Sequence, residues 1–179
     1  EQAAMKSFDE RALEVWADTV ESKSDAARSE NPAALLLNGH VKLRTKDGLE
    51  ALMDSATYDD ASGMLVTPGR VTFSRSRMSG EGMGATYNEH QDVLSLLDQS
   101  HVRVLPDEHG AGALDATSRQ LTLLRPAKLV ELTQNARIVR DGDVLSADNA
   151  VLHMTEDESR LTKIALHEHA RVEPGSGKE

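Results

Sequence analysis

The sequence predicts an all-β chain folded as a sandwich, barrel or roll. Three observations carry this: a four-residue run that recurs five times, alternation of polar and apolar side chains within it, and turn-forming residues at regular intervals. The run reads HVKL at 40–43, RVTF at 70–73, HVRV at 101–104, NARI at 135–138 and HARV at 169–172, at steps of 30, 31, 34 and 34 residues. In HVRV, Val102 and Val104 fall on one side of an extended chain, and His101 and Arg103 on the other. That is the period of two of a half-buried strand. Upstream of each run lies a second recurring phrase, a small residue after Leu or Met, then Tyr or Leu, a polar turn and another apolar strand. About five copies of one supersecondary unit are therefore expected.

The elements follow in order. Residues 3–20, AAMKSFDERALEVWADTV, allow an amphipathic helix with Phe8, Ala12 and Trp16 on one face. A loose tail followed by a strand from about Leu13 is preferred, because Leu13, Val15 and Ala17 alternate. The first run places Val41 and Leu43 on one face. LMDSATYDDASGMLV at 52–66 carries a turn at DASG, 60–63, and brings in Leu65. TPGR at 67–70 is read as a type II turn, with Gly69 accepting the positive φ, and Val71 and Phe73 follow on one face. MSGEGMGATYNEHQDVLSLL at 78–97 turns at NEHQD, 88–92, and supplies Leu94 and Leu96 before Val102 and Val104.

LPDEHGAGAL at 105–114 is a Pro/Gly connection within one domain. LDATSRQLTLLRPAKLVEL at 114–132 contributes Leu121 and Leu123, and NARI contributes Ile138. Asp141-Gly142 suits a tight hairpin. LSADNAVLHMTEDESRLTKIAL at 145–166 contributes Leu152 and Met154. The expected organisation is a tail over 1–12 placed after a signal or anchor, a single domain over 13–172, and a tail over 173–179.

Composition sets bounds. Of 179 residues, 39% are hydrophobic but only 3% aromatic, so the core must be built from Leu, Val, Met and Ala. A net charge of −10 opposes a phosphate backbone, and nucleic acid is not an expected partner. With no cysteine, disulfides, thiolate catalysis and Cys-ligated zinc are excluded.

The chemical motifs have plainer readings. GEGMG at 80–84 resembles a phosphate loop, but ATYNE follows where a helix should open, so the glycines mark a bulge or close strand approach. His167 and His169 flank Glu168 and are a formal metal pair on one strand face. His169 also falls on the slot of His40 and His101, and a recurring outward polar position is the simpler account. Asp59-Asp60 and the EDE at 156–158 are read as solvated hairpin tips. No GxSxG elbow occurs. Neither enzyme activity, nor a metal, nor a cofactor is expected. The aliphatic stripes lead to two alternatives of equal weight, an interior that parts to admit acyl chains or a core packed shut.

The stretch SATYDDASGMLVTPGRVTFSRSRMSGEGMGATYNEHQDVLSLLDQSHVRV resembles the repeat of the lipopolysaccharide-export family, the OstA-like periplasmic proteins LptA and LptC. The matching positions are Ala56, Tyr58, Leu65, Gly69, Val71 and Phe73, then Ala85, Tyr87, Leu94, Val102 and Val104. The match is good over 45–105, recognisable over 114–172 and thin over 13–43, and it leans towards the LptC-like branch.

The resemblance implies a twisted β-jellyroll of consecutive antiparallel strands. It implies a periplasmic location, with an inner-membrane anchor on a segment absent from this chain. Lipopolysaccharide acyl chains would lie between two sheets, lined by Val41, Leu43, Leu65, Val71, Phe73, Leu94, Leu96, Val102, Val104, Leu121, Leu123, Ile138, Leu152 and Met154. The partners would be other jellyroll proteins of the export bridge and the inner-membrane transporter, joined through edge strands. The lipid head group would stay outside, near cations such as Arg70, Arg75, Arg77, Arg103 or Arg137. The competing reading is a structural β-repeat adaptor with a closed core that binds only proteins.

Overall fold

A computed structural model describes residues 3–6, as backbone, and 13–23, 34–158 and 160–175 with their side chains. Fourteen strands run in chain order: β1 Ala3–Lys6, β2 Glu14–Ala17, β3 Thr19–Lys23, β4 Ala34–Arg44, β5 Glu50–Asp59, β6 Met64–Arg75, β7 Met78–Asn88, β8 Val93–Val104, β9 Leu114–Ser118, β10 Gln120–Leu124, β11 Leu129–Arg140, β12 Asp143–Met154, β13 Leu161–His167 and β14 Arg171–Glu173. Each long strand pairs antiparallel with the next, and a short 3-10 turn, Arg125–Ala127, joins β10 to β11.

The long strands are bent in the middle. Register shifts interrupt the ladders between Asn38 and Val41, Met53 and Thr57, Thr67 and Arg70, Glu81 and Met83, and Thr133 and Ala136. Left-handed backbone at Gly39 and His40, Gly84, Gln99, Gln134 and Asn135 falls in the same zone. A bulge adds a residue to one strand and sharpens its bend. Repeated at one level, these bulges form a seam at which the sheet folds on itself.

One layer then comprises β2, the C-terminal half of β4, the N-terminal half of β5 and so on to β14. The other comprises β3, the remaining halves, β10 and β13. β2 and β3 are two halves of one strand broken at Asp18, and both pair with β4; β9 and β10 are likewise broken at Arg119, and both pair with β8 and β11. This is the jellyroll that the resemblance implies.

Alternation fills the space between the layers. The core runs without a break from Leu13, Val15 and Ala17 to Leu152 and Met154. Fully burying one such Leu or Val stabilises by about 1.5–3 kcal/mol, so each repeat is held by its share of the stripe. The terminal repeat is thinner, with Leu145, Leu161, Ile164 and Leu166 only partly buried and Val172 59% exposed.

Four expectations need correction. Thr67-Pro68-Gly69-Arg70 is not a turn: it lies inside β6, at the bulge opposite β7, and Gly69 has no positive φ. The bulge accommodates a proline that has no N–H for the ladder. Ala3–Lys6, within the stretch read as tail, pairs with β2. In HARV, Ala170 and Val172 do not face the core; β14 is exposed along its length. Finally, the EDE tip is not wholly solvated, because Glu158 is 2% exposed. The helical alternative rests partly on Phe8 and Ala12, which lie outside the described residues.

Candidate functional site

All fourteen apolar positions singled out in the sequence are buried and belong to one cluster. Their strands bring them together from both layers. Leu43, Ala51, Met53 and Val71 of one layer, with Leu65, Tyr87 and Leu94 of the other, surround a cavity of about 10 Å3. That is room for roughly one water, so in this state the two walls are in contact. Small residues, among them Ala56, Ala85, Ala116 and Ala136, interleave with the Leu and Val side chains.

Opposite the bulge seam, the free ends of the two layers meet in a mouth lined by charge. Asp47, in the turn after β4, and Arg75, at the end of β6, belong to one lip. Asp92, Arg125, Lys128 and Glu158, in the turns after β7, β10 and β12, belong to the other. Asp47 pairs with Arg125 across the mouth, as Arg75 does with Glu158. Arg75 Nη2 also lies 3.2 Å from Asp47 Oδ2, and Arg125 Nη1 donates to Asp92 Oδ1 at 2.8 Å. Lys128 Nζ is 3.7 Å from Glu158 Oε1.

The side chains of Arg125 and Glu158 are 3% and 2% exposed, so these charges are withdrawn from water only because they face one another. Burial works against the Arg125 charge, but Asp92, Asp47 and Glu158 outweigh it and hold its pKa above the ordinary value. Burial likewise pushes the Asp47 carboxyl up, while Thr45, Arg125 and Arg75 together bring it below the usual range.

The repeat tyrosines tie the turns to the interior. Tyr58 donates to Glu89 at 2.9 Å and Tyr87 to Asp92 at 3.0 Å. Burial, with the carboxylate beside each, pushes both phenols above their normal pKa. A Tyr here buries its ring and lends its hydroxyl to a hairpin tip, which explains its place in the repeat.

The histidine slot is outward, and each member has an acidic partner. His40 Nδ1 lies 2.7 Å from Asp18, His101 Nε2 2.9 Å from Asp115, and His169 Nδ1 2.8 Å from Asp148. Glu168 and His169 are both left-handed, so simple strand alternation does not carry from His167 to His169. Among the described residues no group of three or more His, Asp or Glu is arranged to hold a metal. GEGMG lies within β7, where Gly80 passes against Phe73 and the β8 backbone.

The expected head-group cations are scattered. Arg70 pairs with Glu81, Arg103 with Asp115, and Arg77 donates to the Leu105 carbonyl. Arg137 is on the outer face of β11, and only Arg75 stands at the mouth. Sequence reading missed Asp47, Arg125 and Lys128 and took Glu158 for a solvated tip, although one signal was available: TKDG at 45–48 and TEDE at 155–158 are the same turn written twice.

The model of the LptC-related lipopolysaccharide-assembly family matches residues 2–105, more than half of the chain. The chain belongs to that family. Its membership makes it a component of lipopolysaccharide transport. No curated protein matches the sequence. A similar solved structure is the crystal structure of LptH from Pseudomonas aeruginosa, described as the LptA-homologous periplasmic component of the conserved lipopolysaccharide transport device. It is 15% identical, with a TM-score of 0.58, covering 69% of this chain and 84% of that one. At that identity the likeness establishes the jellyroll fold. Among the described residues, no helix is long and apolar enough to cross a membrane.

Proposed function

We propose that this chain is a periplasmic carrier of the export bridge, holding lipopolysaccharide acyl chains between its two layers and passing them to the next jellyroll. The observation that carries the reading is the apolar interior, continuous through every repeat from Val41 to Met154 and broken only by small hydroxyl side chains such as Thr67 and Ser100. Each CH2 moved from water to such a surface gains about 0.8 kcal/mol, so a saturated chain needs no catalysis to be held. The walls are in contact, and loading requires them to part at the mouth.

The ends of the jellyroll supply the joints. β13 and β14 are left on the edge, with Val172 exposed and Leu166 half-covered. Uncovered edges invite strand addition, here by a second jellyroll. The same chemistry serves the inner-membrane transporter at the other end, and an anchor preceding this chain would hold it there.

The 10 Å3 interior also favours a second reading, an adaptor whose core stays shut and which binds only proteins. Photo-crosslinkers separate the two. Placed at Leu94, Val102 or Leu123 in a lipopolysaccharide-producing host, they capture the lipid if the chain is a carrier, whereas one at Arg103 does not. Capture at none of the interior positions, with oligomers unchanged, establishes the adaptor instead.

A further inference from the structure

The turn that delivers Glu158 is built like two others. In the first, Thr45 N donates to Leu49 O, Gly48 N to Thr45 O, and Leu49 N to Thr45 Oγ1. In the second, Asp107 N donates to Ala111 O, Gly110 N to Asp107 O, and Ala111 N to Asp107 Oδ1. In the third, one residue longer, Thr155 N donates to Arg160 O, Glu158 N to Thr155 O, and Arg160 N to Thr155 Oγ1. The left-handed position is glycine in the first two, Gly48 at φ 91 and Gly110 at φ 78, but Glu158 at φ 54 in the third. A side chain at such a position is less favourable than glycine.

That residue sends its carboxylate inward, into a cage of three cations: Arg75, Arg125 and Lys128. The cage is paired in charge but poorly matched in geometry. Arg125 Nε is buried with no hydrogen-bond acceptor, its nearest Glu158 oxygen being 3.9 Å away, and buried Glu158 Oε1 accepts no hydrogen bond either. Two arginines and a lysine converging with an unsatisfied buried donor suit a group with more oxygens and more charge than a carboxylate. A phosphate monoester supplies three oxygens and a charge between −1 and −2 near neutral pH.

We propose that Arg75, Arg125 and Lys128 form a phosphate site at the mouth of the jellyroll, that Glu158 occupies it in the closed state, and that the phosphate of an acylated glycolipid displaces Glu158 as the chains enter. This rests on the carrier reading and adds to it where the head group is held and what the lips close upon. It also resolves a conflict of charge: a chain of net charge −10 receives an anionic lipid at a spot where removing one carboxylate leaves cations in excess.

The test measures binding of a phosphorylated lipid A and of the same lipid after enzymatic removal of its phosphates, to the wild-type chain and to K128Q, R75Q and E158G. E158G puts at the left-handed position the residue that the sister turns use, so it keeps the fold if a cation variant does not. The wild type is expected to prefer the phosphorylated lipid by about tenfold, the scale of one or two charge-assisted hydrogen bonds. K128Q and R75Q bring that preference towards unity, and E158G binds the phosphorylated lipid severalfold more tightly. No preference in the wild type, a preference untouched in both cation variants, or E158G no tighter than wild type overturns the site. Inorganic phosphate that binds the wild type as tightly as the phosphorylated lipid does overturns the assignment to a lipid head group. Capture at Leu94 without a phosphate preference overturns the mouth site and leaves the carrier standing. A preference lost in K128Q without capture at Leu94 supports the site and overturns the carrier.

Discussion

A methyl group on Gly80 would lie 2.6 Å from Cζ of the Phe73 ring and 2.8 Å from the backbone oxygen of His101. β6, β7 and β8 thus approach as closely as they do because the middle strand has no side chain where Phe73 crosses it. G80A is expected to destabilise the fold by about 1–3 kcal/mol, the range for overpacking a filled site. F73L relieves the ring contact but not the backbone one, so the double variant should recover only part of the loss. Urea unfolding of the two single variants and the double checks this; full additivity would mean that the two residues are not coupled.

Gly48 is required for a different reason. Nothing lies within 4 Å of a Cβ built there, so G48A meets no steric conflict and isolates the backbone. The left-handed conformation costs an L-residue roughly 1–2 kcal/mol, and the loss of stability should fall in that range. A neutral G48A, measured by thermal or urea unfolding, would contradict the turn as described.

Arg125 is expected to be the most costly charge to remove. R125M takes one cation from buried Glu158 and leaves Asp92 and half-exposed Asp47 beside it, a loss of about 2–4 kcal/mol, between the limits for exposed and buried pairs. R70M removes one partner of the exposed Arg70–Glu81 pair and is expected to cost no more than about 1 kcal/mol. Equal losses for the two, by urea titration, would remove the mouth network as a structural element.

The histidine slots give a pH signature. The hydrogen bond to Asp18 raises the His40 pKa above 6.5, and the bond to Asp148 does the same for His169. A raised histidine stabilises the fold below its unfolded pKa, and that contribution fades as pH rises through the folded value. NMR titration should find both rings protonating above the ordinary value. D18N should return His40 alone, and D148N His169 alone. Normal titration of both rings in the wild type would show that the pairs do not form in solution.

Much of this was legible in the chain. Alternation at Val102/Val104 and Leu121/Leu123 reports burial directly, because a strand has only two faces, and every lining residue named from that pattern is in the core. Pro68-Gly69 misled because a turn and a mid-strand bulge draw on the same residues; which one forms depends on the β7 partner, not on the local sequence. HARV misled because burial of its apolar residues needs a following strand to cover them, and β14 has none among the described residues. The mouth was missed because Asp47 and Arg125 are 78 positions apart, and no local period brings them together.

If acyl chains enter between the two layers, the lips must part at the mouth. The chain has no cysteine, so a single pair of spin labels can be placed at exposed Lys46 and Ala127, one on each lip. Pulsed electron resonance of that pair, with and without lipopolysaccharide, reads the opening. A distribution that moves to longer distance on adding lipid is the predicted result. An unchanged distribution while Leu94 crosslinks to bound lipid would contradict it.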